Sequence, residues 1–155
     1  MKLYILRHGE TEWNREDRVQ GQMDSPLTKK GREDIASMAE ELFPIRIEIC
    51  YTSDLPRAKM TAKGLINGRK IPIIEVEALR ELPLGPWEGK LFKEIQKDPL
   101  SVIYFESPEQ FSLPGLRNFH DLYKGVGDFI RKLEKDPKDH VLIVAHGVSI
   151  RALLN

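Results

Sequence analysis

Two histidines stand at matching positions near opposite ends of the chain. His8 follows the apolar residues Leu3–Leu6 in "LYILRHGE", and His146 follows Val141–Ala145 in "VLIVAHGV". In both cases the next residue is a glycine, which lets backbone amides approach a ligand closely. A neutral imidazole nitrogen can attack an electrophilic centre, or it can bind and transfer a proton. The repeated pattern predicts that both histidines serve one chemical site.

Two arginines and a glutamate extend this candidate set. Arg7 directly precedes the first histidine, Arg57 lies in "TSDLPRA", and Glu81 lies in "LRELPLGPWEG". Guanidinium groups pair bidentately with phosphate oxygens, whereas a carboxylate beside phosphate is more useful as a proton donor. Taken singly, each residue has an ordinary alternative, such as a structural histidine or an exposed loop glutamate. Taken together, they predict a site for a phosphoryl group.

Strands and helices alternate along the chain, and this order would bring the candidate residues together. Hydrophobic periodicity and capping residues predict strands at 2–6, 45–51, 71–76 and 141–145, and helices at 28–42, 53–66, 119–133 and from 149 onward. Thr28 is the predicted N-cap of the first helix, and Ser53 or Asp54 that of the second. The prolines between 97 and 118 predict an irregular segment there. The alternation predicts an α/β fold, a three-layer α/β/α sandwich with a mainly parallel sheet, whose carboxyl edge carries the site.

Composition limits the classes of partner. The 155 residues are typical of one domain, predicted to span 1–155. Lysine plus arginine and aspartate plus glutamate number 24 each, which favours neither nucleic acid nor an anionic membrane as a partner. No apolar run approaches the roughly 20 residues of a membrane helix. Cys50 is the only cysteine, which predicts a reducing, cytoplasmic setting without internal disulfides. No histidine or cysteine spacing predicts a metal site.

Five stretches, in this order, resemble the histidine phosphatase superfamily, in the branch that contains the cofactor-dependent phosphoglycerate mutases. They are RHGET (7–11), VQGQMDSPLTKKG (19–31), TSDLPRAKMTA (52–62), LRELPLGPWEG (79–89) and VAHGVSIR (144–151). The resemblance covers nearly the whole chain except about 92–115. It implies a phosphoglycerate mutase-like fold.

The resemblance also implies a role for each candidate residue. His8 would be the nucleophile that becomes a phosphohistidine, and Glu81 would protonate the leaving alkoxide and then assist water. The other members of the site would hold the phosphoryl group: Arg7, Arg57, His146, Asn14, Gln20 and the Gly21 amide. No metal and no cofactor is implied, because arginines take the place that a magnesium ion has in other phosphoryl-transfer sites.

Three activities are compatible with this set of residues. The block "ELPLGPWEG" resembles that of the phosphatases, and the mutases of the family are longer, with extra basic and aromatic loop residues. Hydrolysis of small cytoplasmic phosphoesters is therefore the expected activity. Phosphoglycerate mutase activity is one alternative, and a non-catalytic relative that binds phosphorylated ligands is another.

The end of the chain departs from the family pattern. Relatives normally continue beyond the position of Asn155 through a full helix and further strands, so the resemblance implies that this domain lacks them. The chain is then either a minimal member or a truncated one. Truncation would leave 148–154 poorly packed and an open sheet edge, which favours a homodimer or lowers stability.

Overall fold

Four parallel strands form the sheet of the chain, whose computed structural model describes all residues from Met1 to Asn155. The strands are β1 (Lys2–Arg7), β2 (Ile49–Thr52), β3 (Ile73–Glu75) and β4 (His140–Ala145). Their spatial order is β1-β4-β2-β3, and every neighbouring pair is parallel. The predicted parallel sheet is confirmed.

The strand register brings the ends of three strands to one edge. Arg7 of β1 lies opposite Ala145 of β4, and Thr52 of β2 lies opposite Val144. The His8 amide continues this ladder by donating to the Ala145 carbonyl at 3.0 Å. Parallel strands end on the same side of a sheet. The residues that follow β1, β2 and β4 therefore emerge as neighbours.

Helices cover both faces of the sheet. They are α1 (Glu12–Arg15), α2 (Lys29–Leu42), α3 (Pro56–Ile66), α4 (Phe92–Ile95), α5 (Leu100–Glu106), α6 (Phe119–Leu133) and α7 (Gly147–Leu153). None of them combines the length and the apolar character that crossing a membrane requires.

Alternate side chains of β4 point into two different cores. Leu142 and Val144 pack with residues of α2 and α3, whereas Val141 and Ile143 pack with Leu133 of α6. This alternation follows from the two-residue period of a strand, and burial on both faces explains the unbroken apolar run. The predicted three-layer α/β/α arrangement is confirmed.

The segment 97–118 contains more regular structure than predicted. It forms α5 and a short 3-10 turn at Pro108–Gln110. Pro99 precedes the helix, where the missing proline N–H breaks no helical hydrogen bond. Tyr104 of α5 packs edge-on against Trp87, with ring centroids 5.8 Å apart. Tertiary packing of this kind stabilises a short helix that periodicity alone does not reveal.

Several predicted boundaries are wrong by a few residues. β2 begins at Ile49 and not at 45, because the Ile45 amide turns back to the Leu42 carbonyl at 3.0 Å. β3 covers 73–75 and not 71–76, and the last helix begins at 147 and not at 149. The two strands are thus shorter at their starts than predicted, and the last helix starts two residues earlier.

The predicted caps are right for α2 and wrong for the start of α3. Thr28 Oγ1 accepts the Gly31 amide at 2.9 Å, as expected for an N-cap. The N-cap of α3 is Leu55, without a side-chain hydrogen bond, and Pro56 opens the helix. Ser53 and Asp54 do not cap it. Ser53 Oγ accepts the Leu55 amide at 3.2 Å and contacts His146, and the Asp54 carboxylate binds Arg80.

Candidate functional site

The structure brings the two histidines into direct contact. The ring centroids of His8 and His146 lie 5.2 Å apart, with the ring planes tilted by 51°. His8 is 7% exposed and His146 is completely buried. The contact follows from the strand order, since β1 and β4 are neighbours and each histidine is the first residue after its strand.

A chain of hydrogen bonds fixes the His8 ring. Its Nδ1 lies 2.8 Å from the Gly9 carbonyl oxygen, which can only accept, so Nδ1 carries the proton and Nε2 keeps its lone pair. The Gly9 amide donates to Thr61 Oγ1 at 2.9 Å, and that hydroxyl donates to the Arg57 carbonyl at 2.7 Å. Burial, assisted by the Arg57 and Arg7 charges, lowers the pKa of His8 from 6.5 to about 3. The imidazole is therefore neutral at pH 7, with a free nucleophilic nitrogen.

His146 has one paired and one unpaired ring nitrogen. Its Nε2 lies 2.8 Å from Ser53 Oγ, whereas Nδ1 is buried without a partner. Burial first, and then the charges of Arg57 and His8, lower the pKa of His146 from 6.5 to about 2. If the Ser53 hydroxyl donates to Nε2, the neutral ring carries its proton on Nδ1. That N–H can donate to an anionic ligand.

Arg57 is nearly buried, at 2% exposure, and it holds the loop that precedes α2. Its Nη1 donates to the Met23 carbonyl at 2.6 Å and to Asp24 Oδ1 at 3.2 Å, and its Nη2 donates to the Gly21 carbonyl at 2.6 Å. Its Nε is buried and has no partner. The guanidinium thus fixes the loop and keeps one N–H free.

Arg7 and Asn14 lie at the mouth of the site. With His8 they line an open cavity of about 430 Å³, whose other lining residues are Glu10, Asp17 and Phe92. Asn14 belongs to α1, and its Oδ1 accepts the Thr11 amide and hydroxyl at 3.0 Å each. The Asn14 side chain is therefore fixed, with its Nδ2 group left as a donor.

Gln20 and Gly21 form the loop that Arg57 holds. Gln20 is buried, and its Oε1 accepts the Ser25 hydroxyl at 2.9 Å. Gly21 has a φ of 54°, a left-handed conformation, and a side chain there would collide with Glu88. The Gly21 N–H donates to no atom of the protein. The loop thus has a free backbone donor, and only glycine fits that position.

Glu81 lies against the start of α7. Its Oε1 accepts the Leu82 amide at 3.0 Å and the Val148 amide at 3.2 Å. Burial raises the pKa of Glu81 above 4.5, while these two amides and the Arg57 and Arg7 charges act in the opposite direction. A carboxyl group with a raised pKa keeps its proton at higher pH, as a general acid requires.

Sequence reasoning missed the residues that support the site. They are Ser53, which contacts the His146 ring; Thr61, which accepts the Gly9 amide; Asp24, which accepts Arg57 Nη1; and Glu88, which lies against Gly21. Of these four residues, only Thr61 could have been recognised from the sequence, because it follows Arg57 by four residues and so lies on the same face of α3. Within the structure, no three histidine, cysteine, aspartate or glutamate side chains group as metal ligands.

The low pKa values of the two histidines predict a loss of stability in acid. An unfolded chain binds these protons near pH 6.5, but the folded chain binds them only near pH 3 for His8 and pH 2 for His146. The unfolded state therefore takes up more protons, and the free energy of unfolding falls as pH falls below 6.5. The expected slope between pH 5.5 and 4 is about 1.4 kcal/mol per pH unit for each histidine.

Urea unfolding at several pH values measures this slope. The His146→Asn variant should lose about half of the slope that the two histidines contribute. The matched control is His120→Asn at an exposed position, which should keep the full slope. Identical slopes in all three proteins would contradict the lowered pKa of His146.

Comparisons with known proteins agree with this geometry. The family model of the histidine phosphatase superfamily (branch 1) matches residues 3–155. Phosphoserine phosphatase 1 of Hydrogenobacter thermophilus is 29% identical, with 99% of this chain and 74% of that protein covered. The probable phosphoglycerate mutase GpmB of Enterobacter is 30% identical, with 100% and 74% covered.

A solved structure, Bacillus stearothermophilus YhfR, superposes with a TM-score of 0.90 at 39% identity, and the match covers 98% of this chain and 77% of that one. The chain thus spans about three quarters of the length of these relatives. Because the family match extends over nearly all of its residues, the chain belongs to the histidine phosphatase superfamily, branch 1.

Proposed function

We propose that the chain is a phosphomonoester hydrolase that forms a phosphohistidine on His8 and acts on small phosphoesters. The observation that carries this proposal is a pair of buried nitrogens without partners, Arg57 Nε and His146 Nδ1, in the site that holds His8. A buried, unpaired polar group costs about 1–3 kcal/mol. With the proton of His146 on Nδ1, both nitrogens are donors, and such a pair suits a ligand that accepts both hydrogen bonds. The oxygens of a phosphoryl group would do so.

In the first step, His8 Nε2 attacks phosphorus. The new N–P bond forms as the P–O bond to the leaving group breaks, and the proton of Glu81 passes to the departing alkoxide. Negative charge on the phosphoryl oxygens is stabilised by Arg7, Arg57 Nε and His146 Nδ1. Because Arg57 and His146 are already fixed by their own contacts, these two donors need little reorganisation in the transition state.

In the second step, water attacks the phosphohistidine. Glu81, now a carboxylate, takes the proton from this water, the N–P bond breaks, and His8 Nε2 regains its lone pair. The products are inorganic phosphate and free enzyme with Glu81 protonated. In this proposal Asn14, Gln20 and the Gly21 amide hold the phosphoryl group during both steps.

Two alternatives remain beside hydrolysis. A mutase would return the phosphoryl group to a second hydroxyl, and one relative carries the name of a probable phosphoglycerate mutase. A non-catalytic protein would bind the ester and leave it intact. The name of the Hydrogenobacter relative, a phosphoserine phosphatase, and the phosphatase-type acid block support hydrolysis.

A panel of phosphoesters tests the proposal. Phosphoserine, sugar phosphates and glycerol phosphate are incubated with the protein, with and without EDTA, and released phosphate is measured. We expect phosphate release that EDTA does not abolish. Interconversion of 2- and 3-phosphoglycerate faster than phosphate release would favour the mutase, and tight binding without turnover would favour the non-catalytic protein.

Thr61 offers a graded test of how His8 is held. The Thr61→Val variant keeps the shape of the side chain but leaves the half-buried Gly9 amide without an acceptor. We expect kcat to fall by about 10- to 100-fold and stability to fall by about 1–2 kcal/mol. Thr61→Ser retains the hydroxyl and should stay close to wild type. Equal activity of the valine and serine variants would contradict the role of this hydrogen bond.

We further propose that residues 1–155 form one domain that works in the cytoplasm as a homodimer. One strand, β4, contributes to the cores on both faces of the sheet, which supports a single domain. The lone thiol, Cys50, is buried, which suits a reducing compartment. The outer strands β1 and β3 each have an edge without a strand partner, and such edges can pair with a second copy. Light scattering gives the oligomeric state.

A further inference from the structure

A bidentate ion pair joins the loop that carries the acid to the turn between β2 and α3, which contains Ser53 and precedes Arg57. Arg80 Nε donates to Asp54 Oδ1 at 2.7 Å, and Arg80 Nη2 donates to Asp54 Oδ2, also at 2.7 Å. The two side chains are 32% and 25% exposed. Two parallel short hydrogen bonds fix the distance between the groups and also the plane that they share.

The positions of the two partners in the sequence give the pair its significance. Asp54 directly follows Ser53, whose hydroxyl contacts the His146 ring at 2.8 Å. Arg80 directly precedes Glu81, whose carboxyl oxygens accept the Val148 amide at 3.2 and 3.3 Å. Each member of the pair is thus one residue away from a group that faces the site.

Other contacts also tie the acid loop to the site. One is the backbone hydrogen bond from the Val76 amide to the Thr52 carbonyl at 2.8 Å, four residues before Arg80. Another is the bond from Gln22 Nε2 to the Glu81 carbonyl at 3.2 Å. Glu88 Oε1 also accepts the Gln22 amide at 3.0 Å, and the Glu81 carboxyl group accepts the Val148 amide. Each of these contacts involves a single donor group, so none fixes the plane of the loop as the bidentate Arg80–Asp54 pair does. Partly exposed ion pairs add little to folding stability, so a geometric role explains this pair better than an energetic one.

We propose that Arg80 and Asp54 are positioning residues that set the distance between the carboxyl group of Glu81 and the phosphoryl group. The inference rests on the proposed function, in which Glu81 protonates the leaving alkoxide. Loss of either partner should allow the acid loop to shift while the nucleophile and phosphate-binding groups stay in place. Displacement of a catalytic group by about 1 Å can cost about 10²-fold in rate.

The choice of leaving group separates this role from a general structural one. An alkyl phosphate such as phosphoserine needs a proton on its departing oxygen, whereas 2,4-dinitrophenyl phosphate releases a stable anion and needs none. For each ester, kcat/KM reports the steps up to phosphoryl transfer to His8, so the loss of kcat/KM in a variant can be compared between the two esters. Arg80→Lys retains the charge but cannot form both bonds, and Asp54→Asn retains the shape but not the charge.

We expect both variants to lower kcat/KM for phosphoserine by about 10- to 100-fold and that for the dinitrophenyl ester by less than about threefold. The double variant Arg80→Lys/Asp54→Asn should be no worse than either single variant, because the two residues act as a unit. Arg131→Lys, in an exposed ion pair on α6, is the matched control and should leave both values unchanged.

Three results would overturn the inference: equal losses for both esters, no loss for phosphoserine, or losses that add in the double variant. Activity on the dinitrophenyl ester also shows that each variant is folded. Failure of the proposed function is distinguishable, because the wild-type protein would then hydrolyse neither ester.

Discussion

Replacing His8 by alanine is expected to lower kcat for phosphomonoester hydrolysis by about 10⁴-fold or more. The Nε2 atom of this ring is the only candidate nucleophile whose lone pair is fixed toward the site, since Nδ1 is bound to the Gly9 carbonyl. Without it the covalent route is lost. Arg57 Nε and His146 Nδ1 remain, so the dissociation constant for inorganic phosphate should change by less than about tenfold.

Two measurements accompany this prediction. Circular dichroism and thermal unfolding should show that the His8→Ala variant folds, and His120→Ala, at an exposed position of α6, should keep wild-type activity. Hydrolysis by the His8→Ala variant at a rate close to wild type would remove His8 from the mechanism. A complete loss of phosphate binding would show that His8 supports the site and does not act as its nucleophile.

The second large effect is expected for Glu81→Gln. Loss of a general acid should lower kcat/KM for phosphoserine by about 10²- to 10⁴-fold, and that for 2,4-dinitrophenyl phosphate far less. Burial raises the pKa of Glu81, so the protonated acid persists above pH 4.5. For the alkyl ester, kcat/KM of the wild-type protein should therefore fall as pH rises through that raised pKa.

This descending limb should be absent in Glu81→Gln, because the amide has no proton to lose in this range. Glu109→Gln, an exposed change outside the site, is the matched control and should keep the wild-type profile. A wild-type rate that stays flat over this range, or equal losses for the two esters in Glu81→Gln, would contradict the role of Glu81 as proton donor.

The parts of the fold that the sequence predicts are those with strong local signals. The apolar runs before His8 and His146 identify two buried strands, and the positions of both histidines after these strands predict that they meet. Thr28 identifies the start of α2 because its capping pattern is local. These features can be predicted without knowing which segments are neighbours in the fold. The only further rule required is that parallel strands end at the same edge of a sheet.

The parts that could not be predicted depend on contacts between distant segments. Ser53 and His146 are 93 residues apart, and nothing near Ser53 indicates that it binds an imidazole and does not cap α3. Asp54 likewise serves Arg80 and not the helix. The sequence predicts that the Arg57 guanidinium binds phosphate bidentately. In the structure its Nη groups bind the 21–24 loop, and only Nε is unpaired. Tertiary structure decides between such roles.

A covalent phosphoryl group on His8 is the central claim, and trapping it is the most direct test. Glu81→Gln is mixed with 2,4-dinitrophenyl phosphate carrying radioactive phosphorus, because this ester needs no acid while the attack of water is slowed. Rapid quenching should then yield an acid-labile, alkali-stable label on His8. The double variant His8→Ala/Glu81→Gln should carry no label. Release of phosphate without any label, or a label that persists in the His8→Ala protein, would contradict the account.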